Sequence, residues 1–221
     1  MTMTRRQWLG LIAVLALGVA ASALLRWWPQ EGRRLEPTPV VRAVLTDPGS
    51  PRAGAAEPDV TVVVFTDYQC PICKVTDPAL TRLLAADPKV RVIYKDWPIR
   101  GPLSDLAART ALAADRQGRY PAVHDALMAA RGALSPERIT AIAAAAGADL
   151  ARLAADQSVH AREIDAQIGR HRLQAFSLGL AGTPAYLVGP YLIEGGLDDR
   201  RLDHAVKRAR RVGPPQAGVG S

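Results

Sequence analysis

Val60-Thr-Val-Val-Val-Phe65 is followed five residues on by Cys70-Pro-Ile-Cys73, and this motif contains both cysteines of the 221-residue chain. No other stretch restricts the fold so tightly. A β-branched run this short fits a strand buried in a covered sheet. Pro71 suits the first position of a helix, where its missing N–H costs nothing. The chain must therefore turn sharply from strand to helix, with one sulfur at the helix N-terminus and the other one turn in. Free N–H groups and the helix dipole lower the pKa of a thiol at that end. Cys70 is accordingly expected to be the exposed attacker and Cys73 the shielded resolving thiol, exchanging through a mixed disulfide on Cys70.

Other uses of two thiols fit the sequence less well. A structural disulfide closing so short a loop stabilises little. Zinc normally takes four ligands. His124, His160, His171 and His204 are scattered singly, with no second ligand pair at metal spacing. Copper(I) suits soft thiolates, but Met1, Met3 and Met128 form no methionine-rich site. A non-catalytic copper or zinc carrier using the same two thiols remains the rival from another class.

The elements around the motif have a readable order. A helix is expected over 72–86, a second strand over Val90–Tyr94, then a long helical stretch. Leu103, Leu106, Ala107, Thr110 and Ala114 share one helical face. Tyr120–Ala130 forms a further helix, and Ser135 with Pro136 opens another over Ile139–Ala146. Ile164, Ile168, His171, Ala175 and Leu178 make another stripe, on which His171 reads as a packed core residue. Past Gly182-Thr183-Pro184, the strands Ala185–Val188 and Tyr191–Ile193 flank Gly189-Pro190 as a hairpin. A last helix follows over about 198–212. The fold class is α/β, a strand–helix–strand unit and a hairpin with a helical insert between them.

The ends carry a different signal. Arg5 and Arg6 precede an apolar run from Trp8 to Leu25, the layout of an export signal. TRRQWLG resembles a twin-arginine motif, with Gly10 where a lysine is common. Ala21-Ser22-Ala23 offers a cleavage site. Alternatively the run stays as an anchor, since roughly 17–25 apolar residues span a bilayer, with Trp27 and Trp28 at the interface. Residues 29–58, rich in Pro, Gly, Arg and Glu, read as a flexible tether, and the folded domain is expected to start at Asp59. Residues 213–221 read as a disordered tail. The net charge of +7 lies partly in the leader and partly in Lys207, Arg208, Arg210 and Arg211, which suit the negative end of a helix dipole. No basic stripe interleaves with aromatics, so nucleic acid is not an expected partner.

FTDYQCPICK, YKDWPIRGPLSDLAARTALAADRQGRY and GTPAYLVG stand in that order and resemble the DsbA-like branch of the thioredoxin superfamily. The resemblance covers roughly residues 59–212. It implies a thioredoxin-like fold with a helical subdomain inserted at about 101–179, and thiol–disulfide exchange with unfolded or cysteine-containing exported proteins. It further implies a cis Pro184 facing the CxxC, and pairing of the Thr183 backbone with the substrate as an added strand. A membrane redox partner is implied by turnover. The redox-active Cys70–Cys73 disulfide is the only active group expected, with no metal or organic cofactor. Some relatives carry an acid six residues before the first cysteine, where this chain has Val64. Lys95 and Asp96 are the nearest charged replacements, although both read more simply as solvated strand-end charges. Asp67 and Tyr68 are candidates for the rim, and Trp97 for the core. Pro71-Ile72 contains no histidine to favour the Cys70 thiolate, so a less stabilised thiolate and a less oxidising disulfide are expected.

Overall fold

The computed structural model describes residues 14–15, 17–19 and 32–213, and the chain divides into two units, Met1–Gln30 and Glu31–Ser221. In the first unit Val14, Leu15 and 17–19 are helical. The expected arginine pair, cleavage site, interfacial tryptophans and most of the apolar run lie outside the described residues, as does the tail beyond Gly213. Among the described residues no helix is long and apolar enough to cross a membrane.

The second unit is built on a six-stranded sheet. Its strands are β1 (Arg33–Arg34), β2 (Arg52–Gly54), β3 (Val60–Thr66), β4 (Val90–Asp96), β5 (Ala185–Val188) and β6 (Tyr191–Glu194), in the order β1-β6-β5-β3-β4-β2. Only β3 and β4 run parallel, Val62 opposite Val92 and Thr66 opposite Asp96. Between them come α1 (Pro39–Thr46), α2 (Pro71–Thr76), α3 (Pro78–Ala86), α4 (Pro102–Asp115), α5 (Tyr120–Ala129), α6 (Pro136–Ala145), α7 (Leu150–Val159), α8 (Ala161–Ser177) and α9 (Asp199–Val212). The thioredoxin-like α/β fold with an inserted helical subdomain is as expected, the insert being α4–α8.

Strand alternation gives the sheet two apolar faces. Val60, Val62, Val64, Val92, Tyr94 and Tyr186 point to one, which packs against α2, α3, α9 and the insert. Val63, Phe65, Ile93 and Leu187 point to the other, where Val41, Val44 and Leu45 of α1 meet Ala175 and Leu178.

That second face corrects the expected tether. Residues 33–54 contribute both edge strands and a helix whose Val41, Val44 and Leu45 are buried. An eight-residue helix is marginal alone. Here the Thr38 hydroxyl caps it by accepting from Val41 N, and its apolar stripe covers a sheet face that would otherwise meet water. The expected helix over 72–86 is two helices broken at Asp77, because Pro78 has no N–H to continue the ladder. Helix α7 was not anticipated; only Leu153 of its residues is fully buried, so its sequence carries little stripe.

Candidate active site

The turn between β3 and α2 is organised by Asp67. Its buried carboxylate accepts from Gln69 N at 2.7 Å, Ile99 N at 2.7 Å, Arg100 N at 3.0 Å and Ser104 Oγ at 2.7 Å. Its carbonyl accepts from Cys70 N at 3.0 Å. One side chain thereby ties the start of the CPIC segment to the loop after β4. Cys70 is the N-cap of α2, with extended backbone, and Pro71 holds the first helical position.

Both thiols are free. Cys70 Sγ accepts from Cys73 N at 3.3 Å and, as a thiol, donates to the Thr183 carbonyl oxygen, also at 3.3 Å. Cys70 is not the exposed residue expected from sequence: it is 0% and Cys73 1% accessible. The Thr183 carbonyl lies against Cys70 Sγ, on a loop whose Thr183–Pro184 peptide bond is cis. What α2 exposes instead is apolar side chain, Ile72 at 54% and Val75 at 72%.

The two sulfurs are electrically unlike. Hydrogen bonding from the Cys73 thiol, then from the amides of Cys73 and Ile72 and from Thr183, outweighs burial and lowers the Cys70 pKa to about 5. Thr183 Oγ1 is buried and otherwise without a hydrogen-bond partner, so it is a donor available to a thiolate. Burial, then the neighbouring Cys70, pushes the Cys73 pKa far above the ordinary thiol range. The missing histidine at Pro71-Ile72 therefore does not leave the thiolate unsupported, because its donors come from the backbone and from Cys73.

Lys95 and Asp96 are not solvated strand-end charges; both are wholly buried, on opposite faces of β4. Lys95 Nζ donates to Asp47 Oδ2 at 2.6 Å and to Ser50 Oγ at 2.8 Å. Burial lowers the Lys95 pKa to about 8 despite that partner. Burial likewise pushes Asp47 upward, but Lys95, with Gly49 N and Gln174, holds its carboxyl well below the usual range. His171 is the packed histidine expected. Its Nε2 lies 2.9 Å from Ser50 Oγ and its Nδ1 3.1 Å from the Asp96 carbonyl, and burial lowers its pKa to about 3. This cluster fastens the loop after α1 to the sheet and does not touch either sulfur.

Asp96 faces the CPIC side. Tyr120 Oη donates to both its carboxylate oxygens at 3.1 Å, and burial raises its pKa to about 6. Tyr68 Oη donates to Tyr120 Oη at 3.4 Å and meets His124 Nδ1 at 2.9 Å, while His124 Nε2 meets Asp77 Oδ1 at 3.0 Å. His124 thus joins Tyr68, just before the CPIC, to Asp77, just after α2. Burial disfavours its charge, but Asp77 and Asp96 more than offset that and its pKa rises. Tyr68 is buried in this network and is not the rim residue expected, and it is joined there by Tyr120, His124 and Asp77, which are also buried. Trp97 is core as expected, edge-on to Phe65 and Phe176. Among the described residues, Asp77, His124 and Asp125 bring ligand-type atoms within 4.8 Å of one another, and neither cysteine belongs to that group. Both His124 ring nitrogens are already hydrogen-bonded, so the group fits a proton-sharing network better than a metal site.

A strand–turn–helix with a low-pKa sulfur at the cap, facing a carbonyl on a cis-proline loop, invites comparison with known proteins. Residues 61–207 match the family model for the DSBA-like thioredoxin domain. The chain belongs to this family. The DsbA-like fold recurs in solved structures that match it closely. A thioredoxin-like oxidoreductase from Silicibacter pomeroyi is 41% identical, with 76% of this chain and 96% of that one covered and a TM-score of 0.73. A periplasmic thioredoxin-like protein from Salmonella enterica serovar Typhimurium is 34% identical, covering 79% and 98%, at 0.70. The thiol-disulfide exchange protein alpha-DsbA2 from Wolbachia pipientis is 30% identical, covering 76% and 90%, at 0.72. Among curated relatives, Na(+)/H(+) antiporter NhaA 3 of Salinispora tropica is 32% identical over 149 residues, 64% of this chain and 22% of that protein. The DsbA-like chain thus spans about a quarter of the length of the curated relatives it matches.

Proposed function

We propose that this DsbA-like chain donates disulfides to cysteine-containing proteins outside the cytoplasm, with Cys70 as the exchanging sulfur and Cys73 as the resolving one. The observation that carries the reading is the placement of the two sulfurs one helical turn apart. Cys70 caps α2 and accepts from Cys73 N while facing the Thr183 carbonyl. This arrangement favours a thiolate on Cys70, while burial disfavours one on Cys73. A stabilised thiolate favours the reduced pair and makes its disulfide oxidising. In this reading the donors around Cys70 act in the opposite sense to the missing histidine of Pro71-Ile72.

The cycle balances as follows. A substrate thiolate attacks Cys70 Sγ of the oxidised pair; the Cys70–Cys73 bond breaks, and Cys73 leaves and takes up a proton. The second substrate thiolate attacks its own sulfur in the mixed disulfide and expels the Cys70 thiolate, a good leaving group because its pKa is low. Two electrons pass from the substrate dithiol to the cysteine pair, and a membrane redox partner removes them. The Thr183 backbone, whose carbonyl lies 3.3 Å from Cys70 Sγ, is the edge that would pair with an extended substrate chain once a mixed disulfide forms on Cys70. The chain needs no metal or organic cofactor in this scheme. The twin-arginine leader and the periplasmic description of the Salmonella relative support export. The antiport activity of the longer curated relatives is not carried over, since the matched part is a small share of them.

Oxidative refolding of a reduced test protein, run beside insulin reduction and copper and zinc titration, tests the reading. Disulfide transfer by the full chain that Cys70→Ser abolishes is expected. Tight one-to-one metal binding with no exchange would replace it with the metal-carrier reading.

A further inference from the structure

Helix α2 presents two faces beside the thiols. Ile72 and Thr76 lie under Gly196, where an added Cβ would meet Thr76 Cγ2 at 2.6 Å and Ile72 Cγ2 at 2.8 Å. Pro71, Lys74, Val75 and, past the break, Pro78 follow helical spacing down a different face, and this face is open. It forms one wall of a cavity of about 550 Å³ whose other wall is the end of α5 and the turn leading to α6, residues 128–134. None of its lining comes from the Thr183–Pro184 loop, so the cavity is distinct from the strand-pairing edge proposed above.

The cavity is apolar with a one-signed charge. Tyr68, Met128 and Leu134 are buried parts of its lining, and Val75 is its most exposed large apolar side chain. Among the described residues, Lys74 and Arg131 are its only charged lining and no carboxylate lines it. Lys74 Nζ donates to the Leu127 and Ala130 carbonyls, so its charge is partly used in capping α5. Arg131 is exposed, and its guanidinium has no ion-pair or hydrogen-bond partner among the described residues. Arg138 stands behind it, donating to the Ala133 and Arg131 carbonyls. Asp67, the one acid that acts on Lys74, is buried and fully occupied by its four donors. The Lys74 pKa is lowered by burial and then by the nearby charges of Arg138 and Arg131.

Resting on the thiol-exchange reading, we propose that this groove receives the substrate segment flanking the reactive cysteine and selects segments that combine an apolar side chain with a carboxylate. Size and chemistry match. The volume suits a few side chains in a largely apolar site, and an exposed, unpaired guanidinium beside it is complementary to Asp or Glu. Pro71 follows Cys70 directly, so a chain joined to Cys70 starts at the rim of the groove.

The test uses the full-length chain in its oxidised form and unfolded cysteine peptides carrying leucine with Glu, Gln or Lys at each position two to four residues either side of the cysteine. Exchange with the Gln series reports the proposed function itself; its absence would remove that function and this inference with it. Given exchange, Glu peptides should react about two- to fivefold faster than Lys peptides in at least one register, the range of an exposed ion pair. The ratio should shrink at high salt, fall towards unity in Arg131→Gln and invert in Arg131→Glu. Lys207→Glu, on α9, controls for net charge and should keep the wild-type ratio. Equal rates in every register, a ratio untouched by Arg131→Glu, or an equal shift in Lys207→Glu would overturn the proposal while exchange itself stood.

Discussion

In the reduced protein Cys70 should titrate near pH 5, and Cys73→Ala should move that midpoint upward. At pH 7 a thiol with that pKa is about 99% thiolate, against a few per cent for a free cysteine. The largest contribution to the lowering is the Cys73 thiol, ahead of the Cys73 and Ile72 amides and Thr183. Cys73→Ala removes that donor and leaves both amides in place. A hydrogen bond to a charged group contributes about 1.5–3 kcal/mol, and sulfur is a weak donor. The lower end converts to about one pKa unit, so the variant should titrate near pH 6. Absorbance of the thiolate at 240 nm against pH reads this directly, because the variant has a single thiol. Cys70→Ser should show no rise below about pH 9, since burial keeps Cys73 protonated. A wild-type midpoint above pH 7, or an unchanged midpoint in Cys73→Ala, would refute the assignment of donors.

Three further outcomes follow from the packing. Lys95→Met leaves the Asp47 carboxylate in the interior without its ammonium. Unfolding in denaturant should show a loss of about 3–5 kcal/mol, with recovery in Lys95→Met/Asp47→Leu; a loss below about 1 kcal/mol would show that α1 and its loop are not held by this pair. Asp96 has its folded pKa raised from 3.8 to about 6, so the folded state binds the extra proton in that interval. Stability is therefore lost as pH rises from about 4 to 6, and Asp96→Asn should flatten that slope in pH-dependent melts; an unchanged slope would contradict the burial argument. Gly196→Ala forces a Cβ against Ile72 and Thr76 and should cost about 1–3 kcal/mol and slow exchange, whereas wild-type melting and rates would show that the loop yields freely.

Much of the fold could be read because its signals are local. The β-branched run of β3, Pro71 at a helix start, the Ser135 cap and the Gly189-Pro190 turn each constrain a few neighbouring residues, and each stands where the sequence puts it. The missed parts depend on distant partners. Helix α1 is a short apolar stretch within a Pro-, Gly-, Arg- and Glu-rich segment, and its three buried residues have meaning only once a bare sheet face is seen behind them. Lys95 and Asp96 look like strand-end charges until Asp47 from one side and Tyr120 from the other are brought to them. His124 carried a signal that could have been used, since it lies on an apolar stripe with Tyr120, Val123 and Leu127, all buried. The low Cys70 pKa was hidden for a related reason: its donors are mostly backbone amides and the second cysteine, which the identity of the intervening dipeptide does not reveal.

The account's central claim is that Cys70 alone forms the bond with substrate. Its most direct test is to mix Cys73→Ser and Cys70→Ser variants with a disulfide-bonded peptide and identify the adducts by mass. The account predicts a lasting mixed disulfide on Cys70 in Cys73→Ser and none on Cys73 in Cys70→Ser at neutral pH. Adducts forming on Cys73 at a comparable rate, or on neither sulfur, would contradict it.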